Sequence, residues 1–282
     1  KDTLICSGDT LDLSVELTNT TQDNCNIPAN SLKNGLVAWY PFCGNANDES
    51  GNGNNGTVNG ASLTTDRNGI KNSAYSFDGN NDYIEYGNYL LNQPSKYTIS
   101  AWVKFDNSIQ SSHIFGQATN GEIQLQCHNG QVKSWNKLTN GGSTQIGATI
   151  PDTNQWHHIV AVFDDVNNTL DFYLDKVKYS TSFSSGLATY SGPAVSGRQS
   201  NANANFFDGT IDDIGIWNRA LNANEIDSLY TNNTSLPSIT WSTGDTTESI
   251  KYSTTGKNKV WVSLTDEHGT CSDTATITIN NP

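Results

Sequence analysis

The chain has 282 residues, 34% of them hydrophobic and 15% charged, with a formal net charge of −13. That length suits one large β domain or two smaller ones, and Asn, Gly, Ser and Thr fill the gap left by sparse apolar and charged residues, the composition of strands joined by polar turns. The acidic balance disfavours nucleic acid and anionic lipid, no apolar run is long enough to insert into a bilayer, and 7 Trp in an aromatic content of 10% argue for a packed core rather than disorder. The first residue is Lys and no signal peptide is visible, so the sequence reads as a processed protein or a piece of a longer chain.

In chain order, LICSGDTLDLSVEL (4–17) reads as two short strands around the turn SGD, followed by the polar stretch TNTTQDNCN. Period-two alternation recurs in ISAWVKF (99–105), HHIVAVFD (157–164), TLDFYLD (169–175) and IDDIGIWN (211–218). Turn signals separate these strands: DGNND (78–82), HNG (128–130), NGG (140–142) and DDVNN (164–168). LNANEIDSLY (221–230) carries the helix signal, with Asn222 as cap, Glu225 three residues later and an apolar stripe of Leu221, Ile226, Leu229 and Tyr230. After Pro237 come strands richer in Thr and Ser. Many short strands with one short helix predict an all-β, two-sheet sandwich or jelly roll. The five cysteines form no C-x-x-C pair, which disfavours zinc and thiol redox chemistry, and their odd number leaves one thiol unpaired within the chain.

Two resemblances organise these elements. ICSGDTLDL (5–13), ITWSTGDTTESI (239–250) and VSLTDEHGTCSDTATITI (262–279) resemble the parts of one immunoglobulin-like repeat found in large, type IX-secreted surface proteins of gliding and adhesive Gram-negative bacteria. Roughly 200 residues replace a short loop of that repeat, and insertion is tolerated at loop tips whose ends lie close together. The resemblance implies a split domain, 1–32 with 234–282, in which Cys6 and Cys271 face each other on neighbouring strands as a disulfide. The insert, 33–233, resembles the laminin G-like branch of the concanavalin A-like jelly rolls through GLVAWYPFCGNANDESGNGNNGTVNGA (35–61), AYSFDGNNDYIEYG (74–87), YTISAWVKF (97–105), WHHIVAVFD (156–164) and FDGTIDDIGIWNRALNANEIDSLY (207–230). Cys43 departs from the Asn or Asp common there, and a Cys25–Cys43 bridge would pin the insert to the split domain, leaving Cys127 as a buried thiol. The implied fold is a two-sheet jelly-roll sandwich inserted into a small immunoglobulin-like β-sandwich.

The candidate sites follow from these placements. Glucanases of this jelly-roll type need paired carboxylates on one strand, in an E-x-D-x-x-E pattern that no strand here carries; Glu122 stands alone and Glu225 lies on the helix. His157 and His158 are adjacent and point to opposite faces of a strand, with no Ser or Cys placed to pair with them. In related jelly rolls an Asp at the position of Asp212 holds a structural Ca²⁺, and the loop CGNANDESGNGNNG offers Asn45 and Asp48 as further oxygen ligands. Asp78 and Asp208, both in FDG, are further ligand candidates, although Asp-Gly pairs also simply form tight turns. Strand alternation puts Asp212 and Asp213 on opposite faces. Trp135, Tyr190 and Phe206 sit in polar or loop-like sequence and are candidate sugar platforms. Asp-(Ser/Thr) pairs mark Thr3, Thr10, Ser228, Thr246 and Thr274 as acceptors in a motif that resembles the O-glycan acceptor of the same bacterial group.

These observations point to a non-catalytic binding or spacer module of a large extracellular bacterial adhesin or surface filament. Its expected partners are neighbouring repeats of the same long chain and surface glycans or proteins. The alternatives are a carbohydrate-binding module of a secreted polysaccharide-degrading enzyme and a glycoside hydrolase.

Overall fold

The computed structural model describes residues 3–6, 11–14, 30–92, 94–106, 111–117, 123–188, 192–231, 238–246, 249–252, 256–266 and 269–280. Side chains are described for 31–87, 89–92, 94–106, 111–117, 123–188, 192–231, 240–246 and 260–263. The chain divides into two compact units: Asn24–Asn232, and Lys1–Asp23 together with Asn233–Pro282.

Near the start lie β1 (Thr3–Cys6) and β2 (Leu11–Ser14). The central unit opens with a 3-10 turn, Asn30–Lys33, and continues through β3 (Leu36–Tyr40), β4 (Thr57–Asn59), β5 (Ser62–Thr64), β6 (Ala74–Asp78), β7 (Tyr83–Asn88) and β8 (Lys96–Phe105). Then come β9 (Ser112–Gln117), β10 (Ile123–His128), β11 (Gln131–Lys137), β12 (Ser143–Thr149), β13 (His157–Asp164) and β14 (Thr169–Leu174). The unit closes with β15 (Val177–Ser182), β16 (Pro193–Ser196), β17 (Asp208–Trp217) and helix α1 (Ala223–Thr231). β18 (Ser238–Trp241), β19 (Ser249–Tyr252), β20 (Gly256–Asp266) and β21 (Gly269–Asn280) follow.

The central unit is a two-sheet jelly roll with one short helix. One sheet has seven strands in the order β12-β11-β10-β9-β16-β7-β4. The other has eight, β15-β14-β13-β8-β17-β6-β5 with β3 also paired to β17. Alternation along each strand sends one set of side chains between the sheets. Ile159, Ala161 and Phe163 of β13 join that inter-sheet core with Ile99, Phe115, Leu125 and Phe172. Val160 and Val162, on the other face of β13, pack with Trp39, Tyr173 and Trp217 against Ile226 and Leu229 of α1 and Leu32 of the 3-10 turn. The helix therefore covers the outer face of the eight-stranded sheet. Its N-terminus is a reciprocal cap: Asn222 Oδ1 accepts from the Asn224 and Glu225 N–H groups, and Glu225 Oε2 accepts from Asn222 N at 2.9 Å.

The end unit contains a four-stranded sheet, β1-β21-β20-β18, and the pair β19-β2. β1 runs parallel to β21, placing Cys6 beside Asn280, while Cys271 lies opposite Leu264 of β20. The expected Cys6–Cys271 disulfide is thereby corrected. The two cysteines are on neighbouring strands, but nine residues of register separate Cys271 from Asn280, roughly 30 Å at strand rise. A disulfide needs Cα atoms about 4.4–6.8 Å apart. Cys43 is disulfide-bonded; Cys25, its expected partner, lies outside the described residues. Cys127 is a free, buried thiol, and burial pushes its pKa up to about 12.

Candidate functional site

The Asp212–Asp213 pair shows how local backbone overrides strand alternation. β17 breaks register between Asp212 and Gly215, and Asp213 adopts a φ of 45°. An aspartate tolerates this left-handed conformation better than most residues. The bulge turns both carboxylates toward one guanidinium: Arg67 Nη1 is 2.9 Å from Asp212 Oδ2 and 2.6 Å from Asp213 Oδ2. The expectation that the two aspartates face opposite sides is therefore corrected. Asp66 Oδ1 accepts from Asn68 N and Ile70 N, forming the tight turn that presents Arg67. Arg67 also lies 4.6 Å from the centre of the Trp102 ring. All three charged side chains are buried. Burial and the neighbouring Asp213 raise the pKa of Asp212 well above the usual carboxylate range, and burial raises that of Asp213 against the pull of Arg67.

The oxygens expected to hold calcium have partners within the fold. Asp212 Oδ2 shares the Arg67 guanidinium with Asp213, and its Oδ1 accepts from Asp213 N. Asp48 already accepts from the Trp39, Ser50 and Asn54 N–H groups, and Asn45 Oδ1 accepts from Asn47 N, so both organise their own loop. Asp78 and Asp208 are paired across β6 and β17, and Asp78 Oδ1 caps the turn through Asn80 N. Among the described residues no group of three or more His, Cys, Asp or Glu could hold a metal ion.

The histidines are tied into the fold. His157 Nδ1 is 2.6 Å from Asp175 Oδ2, and its Nε2 is 2.7 Å from the Asp152 carbonyl oxygen. Register does supply a serine that the sequence reading missed: Ser100 Oγ lies 2.8 Å from His158 Nε2. Both residues are buried, with Trp102 and Tyr230 packed on the imidazole. Burial, with Arg67 adding to it, pushes the His158 pKa down to about 3. The pair is a neutral hydrogen bond sealed from substrate, not a nucleophile. Asp171, on β14, is held by Lys178 at 2.8 Å and by the Ser180 hydroxyl.

The outer face of the seven-stranded sheet is different. Ile123 and Leu125, Val132, Phe115, Ala194, and Ile84 and Tyr86 all point into the inter-sheet core. The residues alternating with them point outward, except at the bulge of β9, where Ile114 joins the core beside Phe115. Register aligns the outward residues in one cross-strand row: Gln145, Trp135, Gln124, Gly116, Val195 and Glu85. Trp135 to Glu85 is four strand spacings, roughly 19 Å. Trp135 is half-buried on this row. Gly116 leaves a dip that the loop after β16 fills; a Cβ there would lie 3.3 Å from Ser200 Oγ. That loop is closed at its ends by a hydrogen bond from Phe207 N to Gly197 O at 2.8 Å. Beside it is a cavity of about 390 Å³ lined by Pro193, Arg198, Ser200, Asn201, Ala202 and Asn203. Neither Arg67 nor Arg198 stands out by local pattern; the signal was rarity, since the chain has only three arginines.

Of the other candidates, Phe206 is half-buried in the same loop, and Tyr190 lies outside the described residues. Phe207 is fully buried against Phe77 and Phe105. Ser228 is in α1 with its hydroxyl donated to Asn224 O, and Thr246 is exposed. Thr3 and Thr274 lie in β1 and β21, with side chains outside the description, as is all of Thr10.

Two apposed sheets with a helix covering one outer face define a lectin-like jelly roll. Residues 78–227 match the Laminin_G_3 family of the concanavalin A-like lectin/glucanases superfamily, and the chain belongs to that superfamily. No curated protein matches the sequence. Among solved structures, the binding domain of Paraclostridial Mosquitocidal Protein 1 is similar with a TM-score of 0.60 and 21% identity, over 73% of this chain and 54% of that one. The receptor binding domain of botulinum neurotoxin D is similar with a TM-score of 0.55 and 16% identity, over 73% of this chain and 55% of that one. The match thus spans about half the length of each toxin domain. Domain 4 of AbnA, an extracellular arabinanase from Geobacillus stearothermophilus, in complex with arabinotriose, is similar with a TM-score of 0.55 and 24% identity, over 69% of this chain and 98% of that one. These likenesses concern the fold alone.

Proposed function

We propose that the central unit is a non-catalytic glycan-binding module of a large extracellular bacterial surface protein, and that the outer face of its seven-stranded sheet is the binding face. The observation that carries this reading is the row from Gln145 to Glu85: an exposed amide and an aromatic platform, Trp135, at one end, and a loop pocket with charged groups at the other. Aromatic faces stack on the apolar faces of sugars while amides and charges meet the hydroxyls. The arabinotriose-bound arabinanase domain and the toxin binding domains support this reading.

In the same reading the end unit is a split immunoglobulin-like domain that joins neighbouring repeats of one type IX-secreted chain. The parallel pairing of its first and last strands supports this. A Cys25–Cys43 bridge and an O-glycan at the exposed Thr246 suit an extracellular setting. A second reading, an accessory module of a polysaccharide-degrading enzyme, is favoured by the near-complete coverage of the arabinanase domain.

A glycan array followed by titration calorimetry tests the binding reading. Trp135→Ala is expected to weaken binding by about tenfold or more while leaving the melting temperature within a few degrees. Undiminished binding by that variant would remove the aromatic platform from the site.

A further inference from the structure

We infer that the pocket beside Arg198 selects saccharides that carry a carboxylate. The inference rests on the reading of this face as glycan-binding and adds the charge of the ligand. Of the three arginines, two are matched to carboxylates at hydrogen-bond distance. Arg219 gives Nη1 to Glu225 Oε2 at 2.9 Å and Nη2 to Oε1 at 2.7 Å. Arg67 reaches Asp212 and Asp213. Arg198 is held in place otherwise. Its Nη1 donates to the carbonyls of Gln199 at 2.9 Å and Ala202 at 3.2 Å. Its guanidinium lies 4.3 Å from the centre of the Tyr83 ring.

The opposite edge of that guanidinium is the one without a matched acceptor. Nη2 is 3.8 Å from Glu85 Oε2, too long for a hydrogen bond. Nε is buried and has no hydrogen-bond partner among the described residues. Nε and Nη2 together form the edge on which arginine takes the two oxygens of a carboxylate. An anion that meets Nη2 in place of the half-exposed Glu85 supplies the hydrogen bond that the 3.8 Å ion pair does not make. The remaining lining is neutral: the Ser200 hydroxyl, the Asn201 and Asn203 amides, and Pro193 as an apolar wall. Such a set reads ring hydroxyls beside one charge. A volume of about 390 Å³ lies within the range of small-molecule sites. Glu85 competes for the same guanidinium, which fixes the sign of its own substitution.

The test is calorimetry on the full chain with trigalacturonic acid and with trisaccharides ending in glucuronic or sialic acid, each beside its methyl ester, and with neutral arabinose and galactose trisaccharides. At least one acid is expected to bind about tenfold tighter than its ester, the size of one charge-assisted pair. Arg198→Gln should abolish that preference. Glu85→Gln, outside the loop, should raise the ratio of acid to ester affinity several-fold. Because Arg198→Gln also removes two loop hydrogen bonds, the ester comparison and Glu85→Gln decide alone if its melting curve shows misfolding. Equal affinity for acids and esters, or no rise in that ratio with Glu85→Gln, overturns the inference. Binding of neutral sugars only overturns it while the binding-module reading stands; no binding across the panel overturns both.

Discussion

Asp212 and Asp213 bring two buried carboxylates to one guanidinium, that of Arg67. Alternation holds for a regular strand, but a bulge with positive φ rotates one carboxylate onto the side of its neighbour. Its partner, Arg67, is 145 residues away from Asp212 in the chain, and no local pattern announces a contact at that separation. The turn-forming role of Asp78 was legible because its hydrogen bonds reach only two or three residues ahead. The cluster makes a definite prediction. Arg67→Met leaves two buried carboxylates without a cation and should cost about 3–5 kcal/mol near pH 7, and less near pH 4, where the carboxyls carry protons. Both aspartates have folded pKa values raised above their unfolded ones, so their contribution to stability is fully present below about pH 4, the unfolded value, and declines as pH rises through the folded values. Asp213→Asn tolerates the same backbone and leaves Asp212 with Arg67 to itself. Urea denaturation from pH 4 to pH 8 should show this variant losing less stability with rising pH than the wild type. Parallel pH profiles would refute a coupled pair.

Among the elements, α1 and β17 differ in how much of them a local pattern carries. The helix was readable because its cap is a four-residue device, Asn222 with Glu225, and its stripe has the 3.6 period. β17 was readable as a strand, yet its bulge and its position between β8, β6 and β3 depend on long-range pairing. Gly215 marks the consequence. A Cβ there would lie 2.3 Å from Trp217 Cη2 and 3.0 Å from Trp39 Cε3, so this glycine lets two indoles cross the strand beneath the helix. Their ring centres are 6.5 Å apart. Gly215→Ala should therefore destabilise by about 1–3 kcal/mol through overpacking and alter the near-UV circular dichroism of the Trp pair. An unchanged melting temperature and spectrum would show that the indoles have room to yield.

For the whole molecule, the contact pattern gives two compact units, Asn24–Asn232 and Lys1–Asp23 with Asn233–Pro282. What the sequence could not supply was register. Similar motifs put Cys6 and Cys271 on adjacent strands, while the offset of β1 along the long strand β21 separates them. The proposed binding face was half legible: Trp135 stands out in polar sequence, whereas Glu85 and Arg198 join it only through the order β11-β10-β9-β16-β7.

Among the described residues both hydrophobic clusters lie within Asn24–Asn232, which gives the central unit a core of its own. Residues 24–232 produced alone should fold, giving a single cooperative melting transition and the near-UV spectrum of packed tryptophans. The bridge at Cys43 then becomes measurable without the end unit. If its partner is Cys25, it closes a loop of a size for which the chain-entropy model gives about 3 kcal/mol, acting chiefly on the unfolded state. Reduction, or Cys25→Ser with Cys43→Ser, should lower the melting temperature while leaving the native spectrum intact. Buried Cys127, with its thiol pKa raised, should resist alkylation until the unit unfolds. A fragment that binds hydrophobic dye and melts without cooperativity would mean that the central core needs the chain ends to form.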